Sequence, residues 1–172
     1  MNNQLLKITL MVFMLCGVAL ADIKDFIGVE IGKTTPNNLK KLYGPLQGNK
    51  DKYGYDSYSI DNNILGTFGN IFSFNNGKLN GYTLFYTMNN KFLNGSVFLG
   101  SIMQFNYFLD NPKQTQIKDL PGIQEAALLD DGSTSALLTF NENIITITVF
   151  SSSDMPFRIK NLKEQLKKRL YK

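Results

Sequence analysis

The side chains available for chemistry in this sequence are carboxylates, serines, lysines and tyrosines, because it contains no histidine and a single cysteine, Cys16. Ser-His-Asp and Cys-His catalysis are therefore excluded, as are zinc sites of the usual imidazole or thiolate kind and a histidine switch near neutral pH. Two carboxylate pairs remain to be weighed, Asp130 with Asp131 and Asp56 with Asp61. To serve glycoside hydrolysis a pair must converge to within roughly 5–10 Å across a substrate. Asp130-Asp131-Gly132 is also an ordinary turn sequence, and carboxylates adjacent on a turn diverge by default. Neither Ser96 nor Ser101 has a lysine three residues on, so a Ser-x-x-Lys dyad is missing. Asp130, Asp131 and the Asp61-Asn62-Asn63 turn could offer oxygen ligands to calcium, but not at EF-hand spacing. The expectation is a non-catalytic protein with no metal and no cofactor.

The charge balance is mildly basic, with a net charge of +4 and a pI near 9.1. That suits an anionic surface, either lipid or an acidic protein, and is too small an excess for nucleic acid. No RNA- or DNA-binding motif accompanies it.

The first 21 residues read as an export signal: Lys7 precedes the apolar run Ile8 to Leu20, and Ala19-Leu20-Ala21 is a small-x-small cleavage site. The run is shorter than the ~20 residues needed to span a hydrocarbon core. Cleavage between Ala21 and Asp22 would remove the cysteine and one lysine and lower the net charge from +4 to +3. Leu15, directly before Cys16, is bulky where a lipoprotein signal has a small residue, so lipid anchoring at Cys16 is not expected. The location implied is periplasmic or secreted. An exported domain without disulfides depends on its core, and about 150 residues bury close to 70% of the unfolded surface. The expectation is one α+β domain over residues 22–172.

The elements that would position any site alternate between helix and strand. Asp22 to Glu30 suits either a lead-in strand or a short helix. In the next segment Thr35 is a good N-cap, Pro36 suits the first helical position, and Gly44-Pro45 stops the helix. Leu39, Leu42 and Tyr43 are expected to share one face. A polar stretch follows, Gln47 to Lys52, and then an aromatic strand from Tyr53 to Ile60 with a bulge expected near Asp56. Ile71–Asn75 and Lys78–Thr87 flank Asn76-Gly77, the preferred two-residue hairpin turn. Ser96 to Leu109 is a helix apolar around its whole circumference, which implies either burial on several sides or an exposed partner patch. Lys113 to Gly122 reads as a polar connection. Strands are expected over Ile123–Leu129, Ser135–Phe140 and Ile144–Phe150. An amphipathic helix closes the sequence over 157–170, with an Ile159, Leu162, Leu166, Leu170 stripe. Its remaining surface is basic, and Lys163, Lys167, Lys168 and Arg169 are the candidate contacts with an anionic surface.

Shifting the sequence by 66 residues lays Leu39 on Phe105, Leu42 on Phe108, Tyr43 on Leu109, Phe72 on Leu138 and Phe74 on Phe140. Beyond the hairpin tip the register slips by one, so that Leu84 meets Val149. The pattern predicts an internal repeat, about 31–90 and 96–150, of helix-plus-three-strand units. Two such units can join into one antiparallel sheet with helices on one face. The opposite face would then bind, with Tyr53, Tyr55, Tyr82 and Tyr86 as candidates depending on the pleat.

The stretch Ile31-Gly32-Lys33-Thr34-Thr35-Pro36 through Leu39, Leu42 and Tyr43-Gly44-Pro45 resembles the signature of BLIP-like exported proteins. These include the β-lactamase inhibitory proteins and the SmpA/OmlA outer-membrane-assembly lipoproteins. The resemblance covers residues 31–45 and implies tandem helix-plus-sheet units, protein binding in the cell envelope and no catalysis. The sequence lacks both the lipoprotein cysteine context of the second group and the paired cysteines of the first, so β-lactamase inhibition does not carry over. The functional expectation is a bacterial envelope or secreted protein-binding module, an assembly factor or inhibitor. An immunity-type protein that neutralises a toxin and an anionic-membrane-surface protein are the alternatives.

Overall fold

The computed structural model describes residues 27–50, 55–61, 64–87, 91–118, 120–141 and 143–170. The expected export signal, Cys16 and Tyr53 lie outside these residues. Three helices and eight strands follow in the order α1 (Pro36–Tyr43), β1 (Gln47–Lys50), β2 (Asp56–Ser59), β3 (Gly69–Asn75), β4 (Lys78–Thr87), α2 (Lys91–Phe108), β5 (Lys113–Gln116), β6 (Glu125–Asp130), β7 (Thr134–Asn141), β8 (Ile144–Ser151) and α3 (Met155–Leu170). The architecture is α+β. Each half is a helix followed by four strands, not three. The two polar stretches expected as connections, Gln47–Lys52 and Lys113–Gly122, supply the extra strands β1 and β5. Polar composition hid them because they are the sheet's edges, where little is buried; all four residues of β5 are exposed.

All eight strands form one antiparallel sheet in the order β1-β2-β3-β4-β8-β7-β6-β5. Each half is a simple meander, and the halves join through their last strands, β4 and β8. The join pairs Gly81 with Phe150, Thr83 with Thr148 and Thr87 with Ile144. A local two-fold relates the halves about the Thr83–Thr148 pair. The register slip seen in the sequence has a definite cause: Ser73 pairs Gly81 while Phe74 pairs Leu79, so Asn80 is an extra, bulged residue in β4. Before the bulge equivalent positions differ by 66 (Leu79, Ile145); after it they differ by 65 (Leu84, Val149). Among the described residues no bulge occurs near Asp56, where Lys50 pairs Asp56 and Gly48 pairs Tyr58 in regular register.

Local chemistry explains the helix and turn signals. The Thr35 hydroxyl accepts from the Asn38 amide at 3.2 Å and the Asn38 carboxamide oxygen accepts from the Thr35 amide at 3.0 Å, a capping box that sustains an eight-residue helix. Asn76 and Gly77 both have positive φ, 50° and 71°, as the two-residue hairpin turn requires.

The core lies between the sheet and the two helices that open the halves. Leu39 of α1 and Phe105 of α2, equivalent in the repeat, are both fully buried over Phe72, Leu84, Leu138 and Ile147. Tyr43 is half-buried and its hydroxyl donates to the Ile27 carbonyl, whereas Leu42 is turned outward and 53% exposed. The apolar helix α2 is not buried all round. Phe98, Ser101, Phe105 and Leu109 face the sheet, while Leu99 and Met103 stand 61% and 74% exposed. The third helix lies on the other face of the sheet. Leu128, Leu137 and Phe150, which alternate with the core residues Leu129, Leu138 and Val149, pack against Met155, Ile159 and Leu162. Leu166 continues this contact over Ala126 and Leu120.

Phe105→Ala should lower unfolding free energy by about 3–5 kcal/mol, because a ring sealed between helix and sheet leaves a cavity that cannot collapse. Urea unfolding of the purified chain measures it; a loss under ~1 kcal/mol would mean that α2 is not seated on the sheet.

Candidate functional site

The sequence-derived candidates separate once the sheet is assembled. Tyr82 and Tyr86 are 2% and 5% exposed and lie on the helix-covered face, where Phe72 packs on Tyr82 with ring centroids 6.0 Å apart. They are core residues and offer no area to a partner, which corrects the expectation that they bind. Burial pushes both phenols well above the ordinary tyrosine range, with Tyr86 and Tyr43 adding to the effect at Tyr82. Tyr55 is half-buried just ahead of β2. The pleat decides this outcome: in β4 Tyr82, Leu84 and Tyr86 share one parity, and that parity faces the helices.

The carboxylates are spent on structure. Asp131 Oδ1 accepts from the amides of Ser133 and Thr134 at 2.8 and 2.7 Å, and Asp130 Oδ1 accepts from the hydroxyls of Ser135 and Ser152 and the amide of Gly132. These bonds, that from Ser152 foremost, hold the Asp130 carboxyl below its usual range despite partial burial. A general acid needs the opposite shift. Asp61 accepts from Gln47 Nε2 at 2.7 Å, and Asp56 is exposed on β2. Among the described residues no three metal-ligating side chains of the His, Cys, Asp or Glu type come together.

A half-open cleft of about 580 Å³ opens where β4 and β8 diverge beyond the Gly81–Phe150 pair, bordered by Val29–Gly32, Lys78, Asn80, Ser153 and Asp154. Its acids are engaged: Glu30 with Lys33 at 2.6 Å, and Asp154 with Asn80 Nδ2 at 3.1 Å and Arg158 at 3.9 Å. The cleft has polar walls without an activated nucleophile or a convergent acid pair.

What the sheet does build is an uncovered apolar surface. The helix α3 covers the outer face of β6, β7 and β8 and stops at the centre of the sheet. There Arg158 lies 5.1 Å from the Phe150 ring centroid and its Nη2 reaches the Asn80 carbonyl at 3.5 Å. Gly81 makes room for it, since a Cβ at that position would lie 2.6 Å from Arg158 Nη2. Beyond this point no helix among the described residues lies over the outer face of β2, β3 and β4. By the local two-fold, Ile71 occupies the position of Leu137 and Phe85 that of Phe150, two of the side chains that α3 seals in the other half. Ile71 is 42% exposed, Phe85 is half-buried, and Phe68, 58% exposed, packs on Phe85 at a centroid distance of 6.1 Å. Hydroxyl residues rim this cluster: Ser59 and Ser73 on the β2 side, Thr83 and Thr148 at the centre with hydroxyl oxygens 3.2 Å apart, and Thr146 beyond.

Sequence reading missed Ile71, Phe85 and Phe68 although a signal existed. Phe85 is the large apolar residue of β4 whose parity opposes Leu84 and Tyr86, and Ile71 opposes Phe72 and Phe74 in the same way. In the closing helix, Lys163, Lys167 and Lys168 are exposed as expected, while Ile159, Leu162 and Leu166 are used against the sheet. The side chain of Arg169 lies outside the described residues. No helix among the described residues is long and apolar enough to cross a membrane.

No family model matches the chain, and no curated protein matches it. Among solved structures, an extracellular protein containing a SCP domain from Bacillus anthracis str. Ames is similar at 12% identity and a TM-score of 0.44. The match covers 78% of this chain and 48% of that one, so this chain spans about half the length of that structure.

Two changes test these assignments. Tyr82→Phe removes a buried hydroxyl that has no hydrogen-bond partner among the described residues and should be neutral or stabilising by about 1 kcal/mol; a loss above ~1 kcal/mol would mean that this hydroxyl is hydrogen-bonded. The second is Asp130→Asn. A carboxylate whose pKa is lower folded than unfolded stabilises above its unfolded value, and that contribution disappears as pH falls through the folded one. Asp130→Asn should therefore lower the melting temperature at pH 7, with the difference from wild type shrinking by pH 3; an equal difference at both pH values would refute the role given to its charge.

Proposed function

We propose that this chain is a non-catalytic exported protein-binding module that engages its partner through the outer face of β2, β3 and β4. The observation that carries this reading is the unequal covering of one continuous sheet face. The helix α3 seals Leu128, Leu137 and Phe150 in one half, while Ile71 and Phe85, the counterparts of the last two, stay accessible beside Phe68 in the other. An apolar centre within a polar, hydroxyl-bearing rim is the anatomy of a protein interface core. Each of the three is already partly covered, so completing its burial supplies roughly half or less of the 1.5–3 kcal/mol of a full burial, before the costs of association. The BLIP-like resemblance of residues 31–45 and the export signal agree with a partner in the cell envelope or outside the cell, in an assembly-factor, inhibitor or immunity-type role.

A second reading has its own observation. With its apolar stripe committed to the sheet, α3 presents Lys160, Lys163, Lys167 and Lys168 to solvent. This surface would adhere to anionic lipid mainly by charge, since Ile159, Leu162 and Leu166 are committed to the sheet.

Ile71→Asp combined with Phe85→Ser should reduce capture of a cognate envelope protein at least tenfold while leaving the melting temperature within a few degrees of wild type. Leu99→Ser with Met103→Ser, on the opposite side of the molecule, should leave capture unchanged. If the α2 pair abolishes binding and the sheet pair does not, the proposed face is wrong. For the second reading, reversal of Lys163, Lys167 and Lys168 to Glu should abolish salt-sensitive sedimentation with phosphatidylglycerol vesicles; vesicle binding unaffected by the reversal would dismiss it.

A further inference from the structure

The sheet carries its own template for the chemistry of the partner. On the outer face of the second half, α3 crosses β8, β7 and β6 with Met155, Ile159, Leu162 and Leu166 directed at the strands. Those positions follow the i, i+4, i+7, i+11 spacing of one helix face. The first half presents a continuation of the same face, joined to that interface at the Gly81–Phe150 pair and related to it by the two-fold through Thr83 and Thr148. Resting on the protein-binding reading above, we infer that the segment docking on β2, β3 and β4 is an amphipathic α-helix of a partner protein, seated as α3 is seated on β6, β7 and β8.

Three features set the match. The uncovered strands β2 to β4 span about 10–15 Å at the ~4.8 Å spacing of neighbouring strands, enough for one helix of 10–12 Å diameter. The apolar anchors repeat, Ile71 for Leu137 and Phe85 for Phe150. A strand-like ligand would need a free sheet edge for backbone pairing, and this surface is a face whose backbone groups are paired on both sides. The differences between the halves specify the ligand further. Pairing places Ser57 opposite Ser73, as Ala126 lies opposite Thr139, and by the same register Ser59 stands where the other half has Leu128. The incoming helix therefore meets Ile71 and Phe85 above β3 and β4 and the Ser59 hydroxyl above β2, the Ser57 hydroxyl being buried. Its complement is an apolar stripe of two or three turns flanked on one side by hydrogen-bonding residues such as Asn, Gln or Ser. The extra residue Asn80 and the Arg158 side chain wall off the central end, which keeps the chain's own α3 on its half.

The probe is a synthetic peptide of residues 155–170, the helix that the fold already seats on this type of surface, titrated into the full isotope-labelled chain in 0.3 M salt. A scrambled peptide of equal composition serves as the control for charge. The intact peptide should shift the amide signals of Ile71, Thr83, Phe85 and Thr146 saturably, and Ile71→Asp should weaken it at least tenfold; the scrambled peptide should do neither. Equal shifts from both peptides, shifts confined to Leu137 and Phe150 through exchange with the resident helix, or no shifts at all would overturn the helix inference. Self-association of the chain lost in Ile71→Asp would overturn it too, by making a second copy the occupant. Failure here is separable from failure of the protein-binding reading. If Ile71→Asp with Phe85→Ser abolishes capture of the cognate envelope protein while the helical peptide does not bind, only the helical form of the ligand is refuted.

Discussion

The pairing of β4 with β8 is the interaction on which the rest of the structure depends. Four short strands and one helix have too little apolar surface to close a core, and the eight-residue α1 in particular buries only Leu39 completely. Joined along seven residue pairs, the halves make one sheet whose inner face accepts both α1 and α2. The join also removes the strands most exposed to intermolecular pairing from the edges, leaving there only the four-residue strands β1 and β5. A duplicated unit is thus incomplete alone and complete as a pair.

The two-fold is broken in two places, and both bear on function. Asn80 adds one residue to β4, which bends the strand and separates it from the end of β8. That opens the cleft and lets Arg158 reach the Asn80 carbonyl. The second break is α3, an element without a counterpart between the halves. Among the described residues the sheet is therefore covered by helices on both sides in one half and on one side in the other. Sequence has adapted to this: Ala126 and Leu128 beneath α3 are replaced in the first half by the serines Ser57 and Ser59, while Ile71 and Phe85 remain apolar.

Electrostatics in this fold serves turns and solubility. Asp130 and Asp131 organise the β6–β7 turn and tie it to the residues after β8 through Ser152, which fixes where α3 begins. The phenols of Tyr82 and Tyr86 are held neutral by burial, which makes alkali a destabilising condition once pH rises past the ordinary tyrosine range. The lysines of α3 are solvated and leave the helix attached by its apolar side.

Much of the backbone was legible in the residues themselves. Thr35-Pro36 with Gly44, Asn76-Gly77 and the alternation of Ile145, Ile147 and Val149 are local signals, decided by capping hydrogen bonds, by positive φ and by the two-residue pleat. The 66-residue offset was legible too, and its one-residue slip falls where Asn80 bulges from β4. The edge strands were not, because a strand that buries little carries no apolar period. Nor was the outward face of β4: whether Tyr82 or Phe85 points outward depends on which parity of β4 meets the helices, and a bulge at residue 80 resets that parity without any local mark. The sequence alone determined that this protein has no histidine chemistry and is an α+β scaffold. Only the tertiary structure decided which apolar residues stay uncovered, because that depends on where α3, distant in sequence from Ile71 and Phe85, comes to rest on the sheet.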